Sequence, residues 1–288
     1  MIKYLLFLTL SSCLFAVETI HSSVHTYVQS KNYTGSKQKE DGTIYGVGAD
    51  LHYGNAEYKF AYEEGSANTI KSASLTKDLK NQKLFFRYNY IFDEHFSLNL
   101  NLASVLKDNI APTDGGSIGG GGFTYTFNRK LSFNVTGYFS DYTDFDTIQT
   151  DLRIDYKTKF DRVKVKFSSI TKYIIVDLDD ESTASPNYAQ NAKSRYKTTG
   201  LETHAHYKTY HLGGAVYFGK RAFAIMQDGF KIQHHAMEFD RTYAVGAGKT
   251  FGPLVIRGQY IYQRATELPM QNKGVKITIL QLIANYKF

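Results

Sequence analysis

The stretch LQLIANYKF, Leu280 to Phe288, decides how the rest of the sequence is read. Stepping back by twos from Phe288 gives Tyr286, Ala284, Leu282 and Leu280; the interleaved residues are Lys287, Asn285, Ile283, Gln281 and Ile279. A period of two marks a β-strand with two unlike faces. An aromatic at the last position is the unusual part, because terminal residues fray into solvent unless a neighbouring element holds them. The pattern predicts a last strand that is built into the wall of a sheet.

The same alternation recurs along the whole chain. It predicts strands near 20–30, 43–53, 56–63, 82–92, 95–106, 117–127, 130–141, 146–158, 162–176, 196–208, 210–219, 238–251, 254–264 and 275–288. That is about 14 strands, within a range of about 12–16. Short turns at YGNAE, FDEH, FNRK, KFDR, KTYH and FGPL alternate with longer polar links at 31–42, 64–81, 178–195, 220–237 and 265–274. Links near 107–116 and 142–145 are shorter but fall on the same side. All 4 prolines lie in connections or open a strand, where no ladder hydrogen bond is lost. The chain has 23 Tyr, 20 Phe and no Trp among its 288 residues, with a mean hydropathy of -0.35. Apolar residues spread so evenly suit many alternating strands better than helices.

One face is apolar throughout: Tyr45, Val47, Leu51 and Tyr53; Leu84, Phe86, Tyr88 and Tyr90; Leu131, Phe133 and Val135; Leu152, Ile154 and Tyr156. Asp50, Lys83, Arg87, Asp151, Arg153, Asp155 and Lys157 occupy the opposite face. A soluble barrel would turn the charged face outward and fill its interior with the apolar one. About fourteen strands enclose a hollow of roughly 14 Å radius, too wide for side chains alone to fill. Turning the apolar face to lipid and the ionic face to water removes the conflict, and closure satisfies every strand edge, as a bilayer demands. The expected fold is all-β: a closed antiparallel up-and-down transmembrane β-barrel. Short turns on one side and long loops on the other suit an outer-membrane barrel.

The last strand, with aromatics at the final and third-last positions, resembles the assembly signal of bacterial outer-membrane barrels. The resemblance implies recognition of Leu280, Leu282, Ala284, Tyr286 and Phe288 by the barrel-assembly machinery. It also implies outer-membrane lipid and lipopolysaccharide as surroundings. In strand count and length the chain resembles the monomeric fourteen-stranded OmpG-type porins, in plan and not in any loop residue.

The N-terminus, MIKYLLFLTLSSCLFAVET, has Lys3, an apolar run from Tyr4 to Phe15 and the small Ala16. This is the pattern of a secretory signal peptide cut after Ala16, and the run is too short for a membrane helix of about 20 residues. The expected division is a signal peptide at 1–16 and an outer-membrane barrel at 17–288, exported into a Gram-negative envelope. A competing reading takes LSSC as a lipoprotein box with Cys13 lipidated. Cys13 is the 1 cysteine, so a chain cut after Ala16 has no disulfide. The formal net charge of +7 does not gather into a Lys/Arg tract, and no nucleic-acid partner is expected.

Candidate chemistry is sparse. In ETHAHYK, His204 and His206 share a face beside Glu202 and Lys208, with His211 on the next strand. Two imidazoles and a carboxylate can ligate zinc or copper, but no third ligand is set by the spacing, and a hydrated wall is the simpler reading. No metal or cofactor is expected. The run GGSIGGGG leads into a strand rather than a helix and lacks the lysine of a phosphate loop. A barrel phospholipase needs Ser and His on the lipid side, where no histidine is clearly placed. A protease would need acid–His pairs at the rim, for which only His234, His235, Glu238 and Asp240 offer themselves. No enzyme is expected.

The ionic rows give the functional expectation. Inward basic residues are Lys59, Lys83, Arg87, Arg153, Lys157, Lys164, Lys166, Lys172, Lys208, Arg257 and Lys287, and they outnumber the inward acids Asp50, Glu57, Glu63, Asp151, Asp155 and Glu202. Cationic rings bias a pore toward anions. Across KFDR, Asp155 is expected opposite Lys166, and Lys157 opposite Lys164. These residues, with His204 and His206, are expected to line a porin-like channel for passive diffusion of small hydrophilic solutes, weakly anion-preferring. The alternatives are a non-conducting structural, adhesin or ligand-binding barrel, or an enzyme of the two kinds above. The longest links, about eighteen residues, are not obvious plugs, which favours an open pore, although a loop folding inward would block it.

Overall fold

The computed structural model describes residues 21–70, 77–109, 113–178, 191–233 and 236–288. The expected signal peptide at 1–16, with Cys13, and also His234 and His235 lie outside the described residues. The strands are β1 (His21–Thr34), β2 (Lys39–Tyr53), β3 (Ala56–Thr69), β4 (Leu79–Ile91), β5 (Phe96–Asp108), β6 (Ser117–Thr126), β7 (Leu131–Tyr142) and β8 (Phe145–Phe160). They continue with β9 (Val163–Leu178), β10 (Arg195–Tyr207), β11 (Tyr210–Arg221), β12 (Ile225–Met226), β13 (Lys231–Ile232), β14 (Met237–Phe251), β15 (Leu254–Glu267) and β16 (Asn272–Lys287). Fourteen of them close into one antiparallel barrel, each paired with its neighbour along the chain. The exceptions to simple succession are β12 and β13, which pair only with each other, so that β11 joins β14 directly.

β16 closes the barrel against β1, with Val24 opposite Tyr286 and Val28 opposite Leu282. The Phe288 N–H donates to Ser22 O at 2.9 Å, which holds the terminal aromatic against the first strand. Tyr45, Leu201 and Leu280 are 61%, 57% and 59% exposed. In a closed barrel such apolar exposure along alternate positions is the lipid-facing side. Near the short turns the outward row becomes aromatic. Tyr90 packs on Phe92, Tyr125 on Phe127 and Tyr286 on Phe288, with ring centroids 4.9, 4.9 and 5.1 Å apart. This is the interfacial girdle of a membrane barrel.

Local chemistry explains the short turns. The Asp93 carboxylate accepts from the N–H groups of His95 and Phe96 at 2.7 and 2.8 Å, and the Asn128 side chain from those of Lys130 and Leu131 at 2.8 and 3.0 Å. Gly252, at φ 57, opens the Gly-Pro turn between β14 and β15, in a backbone region that suits glycine.

Two expectations from the sequence change here. Strands run further at the loop end than alternation indicated: β1 reaches Thr34 and β2 starts at Lys39, so the expected link at 31–42 shrinks to four residues, 35–38. β3 likewise ends at Thr69 rather than near 63. Beyond the lipid both faces are polar, so these ends lose the period-two signal while keeping their ladder. The register across KFDR is also shifted. Phe160 pairs with Val163, so Asp155 faces Ser168, Lys157 faces Lys166 and Lys159 faces Lys164. The turn centres on Asp161 and Arg162 because Asp161 takes the left-handed conformation, φ 50, that aspartate tolerates better than most residues.

Candidate functional site

The barrel interior divides into two unlike halves. Toward the short turns it is ionic and open. Toward the long loops it is packed, and the packing comes from the link between β11 and β14. This link, expected outside as a polar loop, folds into the barrel instead; the expectation of an unplugged lumen is corrected accordingly.

Its sequence explains why. Ala222, Phe223, Ala224, Ile225 and Met226 are apolar and buried, and exposing such a run to water would forfeit about 1.5–3 kcal/mol per large side chain. The wall offers a matching surface. Phe85, Val105, Ile118, Tyr138, Tyr142 and Phe145 face inward at the loop end and are buried with the segment in one apolar cluster. The Phe223 ring lies 4.4 Å from that of Phe145, and Phe230 stacks on Phe85 at 6.0 Å. A second cluster, centred on Tyr33, Met237, Phe239 and Ile277, fills the adjoining side.

A buried backbone needs partners for its N–H and C=O groups, and the segment finds them in two ways. Internally, Ile225 pairs with Ile232 and Met226 with Lys231, and the Gln233 N–H donates to Ala224 O at 3.0 Å. Externally, wall side chains stand in for a neighbouring strand. Gln149 Nε2 donates to Ile225 O at 2.7 Å, while Ile225 N–H donates to Gln149 Oε1 at 2.8 Å. Lys172 Nζ also donates to Ile225 O, at 3.1 Å.

Phe223, just after the segment leaves β11, and Gln227 and Asp228 at its tip adopt left-handed backbone, φ 53, 52 and 53. Each such residue costs on the order of 1–3 kcal/mol and persists only where its surroundings impose it. Gly229, at φ 97, is needed for a second reason: a Cβ there would lie 3.0 Å from Asn101 Oδ1.

Asp228 is the segment's charged contact with the wall. Its carboxylate lies 3.3 Å from Arg153 Nη1 and 3.4 Å from Arg87 Nη1. Half of its side chain is open to the lumen (52% exposed) although it sits deep within the barrel. Arg153 is the hub of the arrangement, reaching Asp155 at 2.9 Å and Glu202 at 3.5 Å as well. Tyr217 donates to Glu202, and Lys166 contacts Asp155 at 3.0 Å. The pairing of Asp155 with Lys166 foreseen from the sequence thus exists as a diagonal contact, not as a directly opposed pair.

The remaining sequence-chosen residues separate by depth. Lys83 pairs with Glu63 at 2.8 Å and Lys172 with Asp151; these point inward but are buried, in dry ion pairs rather than on a wetted wall. Asp50 accepts from Ser23 Oγ at 3.1 Å, and Lys59 pairs with Glu57 at 3.0 Å. Lys208 lies in the turn after β10, and its ammonium rests 5.3 Å over Tyr207. His206 stacks on its cross-strand partner His211 with centroids 4.5 Å apart. His204 pairs in register with Lys166. Among the described residues no group of three or more His, Cys, Asp or Glu is placed to hold a metal. Glu238 is tied to Lys220 and Asp240 to Arg264, the latter at 3.0 Å.

Between the segment and the far wall lies a cavity of about 330 Å³ lined by Arg153, Glu202, His211, Gln227, Arg257 and Gln259. It leads toward a wider space of about 1060 Å³ at the short-turn end, bordered by Lys157, Lys159, Lys164, Lys166, His206 and Arg257.

Reading the sequence missed the inward segment and its receptor, Gln149. The signal was present in the apolar run Ala222 to Met226, set in a link where the other long connections are polar.

A closed antiparallel barrel with an apolar exterior and ionic rows turned inward is the plan of an outer-membrane β-barrel, and known structures share the fold. A structure described as a bacterial polysaccharide outer membrane secretin matches with a TM-score of 0.56 at 9% identity, covering 93% of this chain and 98% of that one. The Ralstonia pickettii toluene transporter TbuX matches with a TM-score of 0.54 at 10% identity, covering 94% and 90%. A TodX monoaromatic hydrocarbon channel mutant also gives 0.54 at 10% identity, covering 95% and 91%. No family model and no curated protein sequence matches the chain.

Proposed function

We propose that the chain acts as a porin-like channel in the outer membrane of a Gram-negative bacterium, passing small hydrophilic solutes by passive diffusion with a weak preference for anions. The observation that carries this reading is the charge of the open half. Lys157, Lys159, Lys164 and Arg257 border its aqueous space without an ion-pair partner among the described residues. Unpaired cations along a wet wall attract anions and repel cations. The hub at Arg153, Arg87 and Asp228 lies between this space and the packed loop-end half. Solutes would pass beside the segment, and small size would be the first selection. The reading needs no cofactor and no reaction. A signal peptide ending at Ala16 and recognition of the last strand by the assembly machinery belong to the same proposal, as does contact with lipopolysaccharide.

A second reading has its own observation. The apolar packing of Phe223 and Ile225 against the wall favours a barrel that stays shut and binds or supports rather than conducts. Purified protein refolded into planar bilayers separates the two. Steps of conductance with a reversal potential toward the anion side support the channel. A cation-side reversal potential removes the anion preference, and an absence of steps together with no liposome swelling in small sugars removes the channel.

A further inference from the structure

We propose that the short-turn mouth of the barrel holds a binding site for a small soluble multivalent anion, one carrying two or more phosphate or carboxylate groups. The proposal depends on the inward facing of the ionic rows and not on conduction.

The site is built on one hairpin. Lys157 stands directly opposite Lys166, and Lys159 opposite Lys164, across β8 and β9. Opposed side chains in such a ladder have Cβ atoms about 4.5–5.5 Å apart, and like charges there destabilise the pair. Two successive lysine–lysine pairs are therefore an arrangement the fold does not need. Several cations elsewhere in the interior have a carboxylate in contact: Lys83 has Glu63, Lys172 has Asp151, Arg153 has Asp155, Glu202 and Asp228, and Lys59 and Arg87, which also oppose one another, have Glu57 and Asp228. On this hairpin Lys166 is matched by Asp155, while Lys157, Lys159 and Lys164 have no ion-pair partner among the described residues.

Other elements bring further positive charge and hydrogen-bonding capacity to the same space. Arg257 enters from β15, and the stacked rings of His206 and His211 enter from β10 and β11. No carboxylate borders the cavity among the described residues. At about 1060 Å³ it has room for a molecule well beyond a single inorganic ion. Chloride can neutralise these cations only one at a time. An anion with linked charges engages the second cation at a high effective concentration once the first is bound. Lysine ammoniums act as point charges toward phosphate, and arginine adds a planar fork suited to phosphate or carboxylate.

The test is calorimetry on the full barrel, refolded in nonionic detergent at low ionic strength, with inorganic tripolyphosphate as the probe. Tripolyphosphate should bind about tenfold or more tightly than inorganic phosphate, and raising the salt should weaken it through screening. The double variant Lys159→Gln/Lys164→Gln should lose about tenfold in affinity. Lys80→Gln/Lys107→Gln, which removes the same charge at the loop end, should stay within about twofold of the parent. Heat-modified gel mobility reports whether each variant has folded, and Arg257→Gln gives the same readout on a different strand.

Absence of tripolyphosphate binding to the parent overturns the site. So does equal weakening by the loop-end pair, which would reduce the effect to net charge. A barrel that binds tripolyphosphate yet shows no conductance supports the site and overturns the channel reading alone.

Discussion

Gln149 pairs with Ile225 as one strand pairs with another: its amide donates to the carbonyl at 2.7 Å and accepts from the N–H at 2.8 Å. One wall side chain thereby satisfies both backbone groups of a residue buried inside the barrel. Gln149→Ala leaves the N–H of Ile225 without that partner, while Lys172 still reaches the carbonyl. An unmet buried donor costs about 1–3 kcal/mol. Hydrogen exchange at Ile225 should accelerate while exchange in β8 and β9 stays slow. Unchanged protection at Ile225 would show that the amide does not hold the segment.

Replacing residues 223–233 with a short Gly/Ser link removes the apolar filling. The barrel ladder between β11 and β14 does not include these residues, so the wall should still close. Single-channel conductance should rise several-fold in the replaced protein. Equal conductance before and after would place the narrowest point elsewhere.

Asp228 makes the segment's attachment sensitive to acid. Its depth in the barrel raises its carboxyl pKa, but Arg153, Arg87 and Lys172 more than offset this and leave it below the usual carboxylate range. For a group depressed in the folded state, the stabilisation is complete above the unfolded pKa and disappears as pH falls through the folded one. The segment should therefore stay attached from about pH 8 down to about pH 5 and loosen only in stronger acid. Conductance recorded against pH should step only in that acid range, and Asp228→Asn should abolish the step. A transition near neutrality would exclude Asp228 as its cause.

Lys83 and Glu63 form an ion pair in the dry half. Removing one partner strands a buried charge, so Glu63→Gln or Lys83→Met should each cost about 3–5 kcal/mol, whereas the double change to apolar residues should approach the parent. Urea titration of the detergent-folded barrel measures this. Two single variants as stable as the parent would mean the pair is hydrated.

The outward rows make a separate prediction. Leu152, 43% exposed on β8, faces the hydrocarbon, and Leu152→Arg should destabilise the barrel by about 2–4 kcal/mol in lipid vesicles. Folding that is indifferent to this change would show that the row does not meet acyl chains.

The wall was legible in the sequence because its cause is local. Alternation at Leu131, Phe133 and Val135 against Ser132, Asn134 and Thr136 sets the two faces without reference to any other strand. The turns at Asn128 and Gly252 carry their own chemistry. The shift at KFDR shows the limit, since Phe160–Asp161 and Asp161–Arg162 are both plausible turn centres and the choice moves every opposed pair by two residues.

The interior was far less legible. Lys83 and Lys157 are both inward lysines on period-two strands, yet one is buried against Glu63 and the other borders open space. What separates them is a segment more than sixty positions away along the chain, docked by Gln149, Arg153 and Phe145. Long-range contacts of that kind leave no periodic trace. Only the apolar run from Ala222 to Met226 hinted that the link would not remain in water.

The inward segment departs from β11, touches β4, β5, β8 and β9, and rejoins the wall at β14. Mechanically it is a tie across a hoop. A plain cylinder of strands ovalises readily under lateral load from its membrane, whereas one tied across its width resists flattening along that line. Squeezing this barrel would strain the Phe223 and Ile225 docking first.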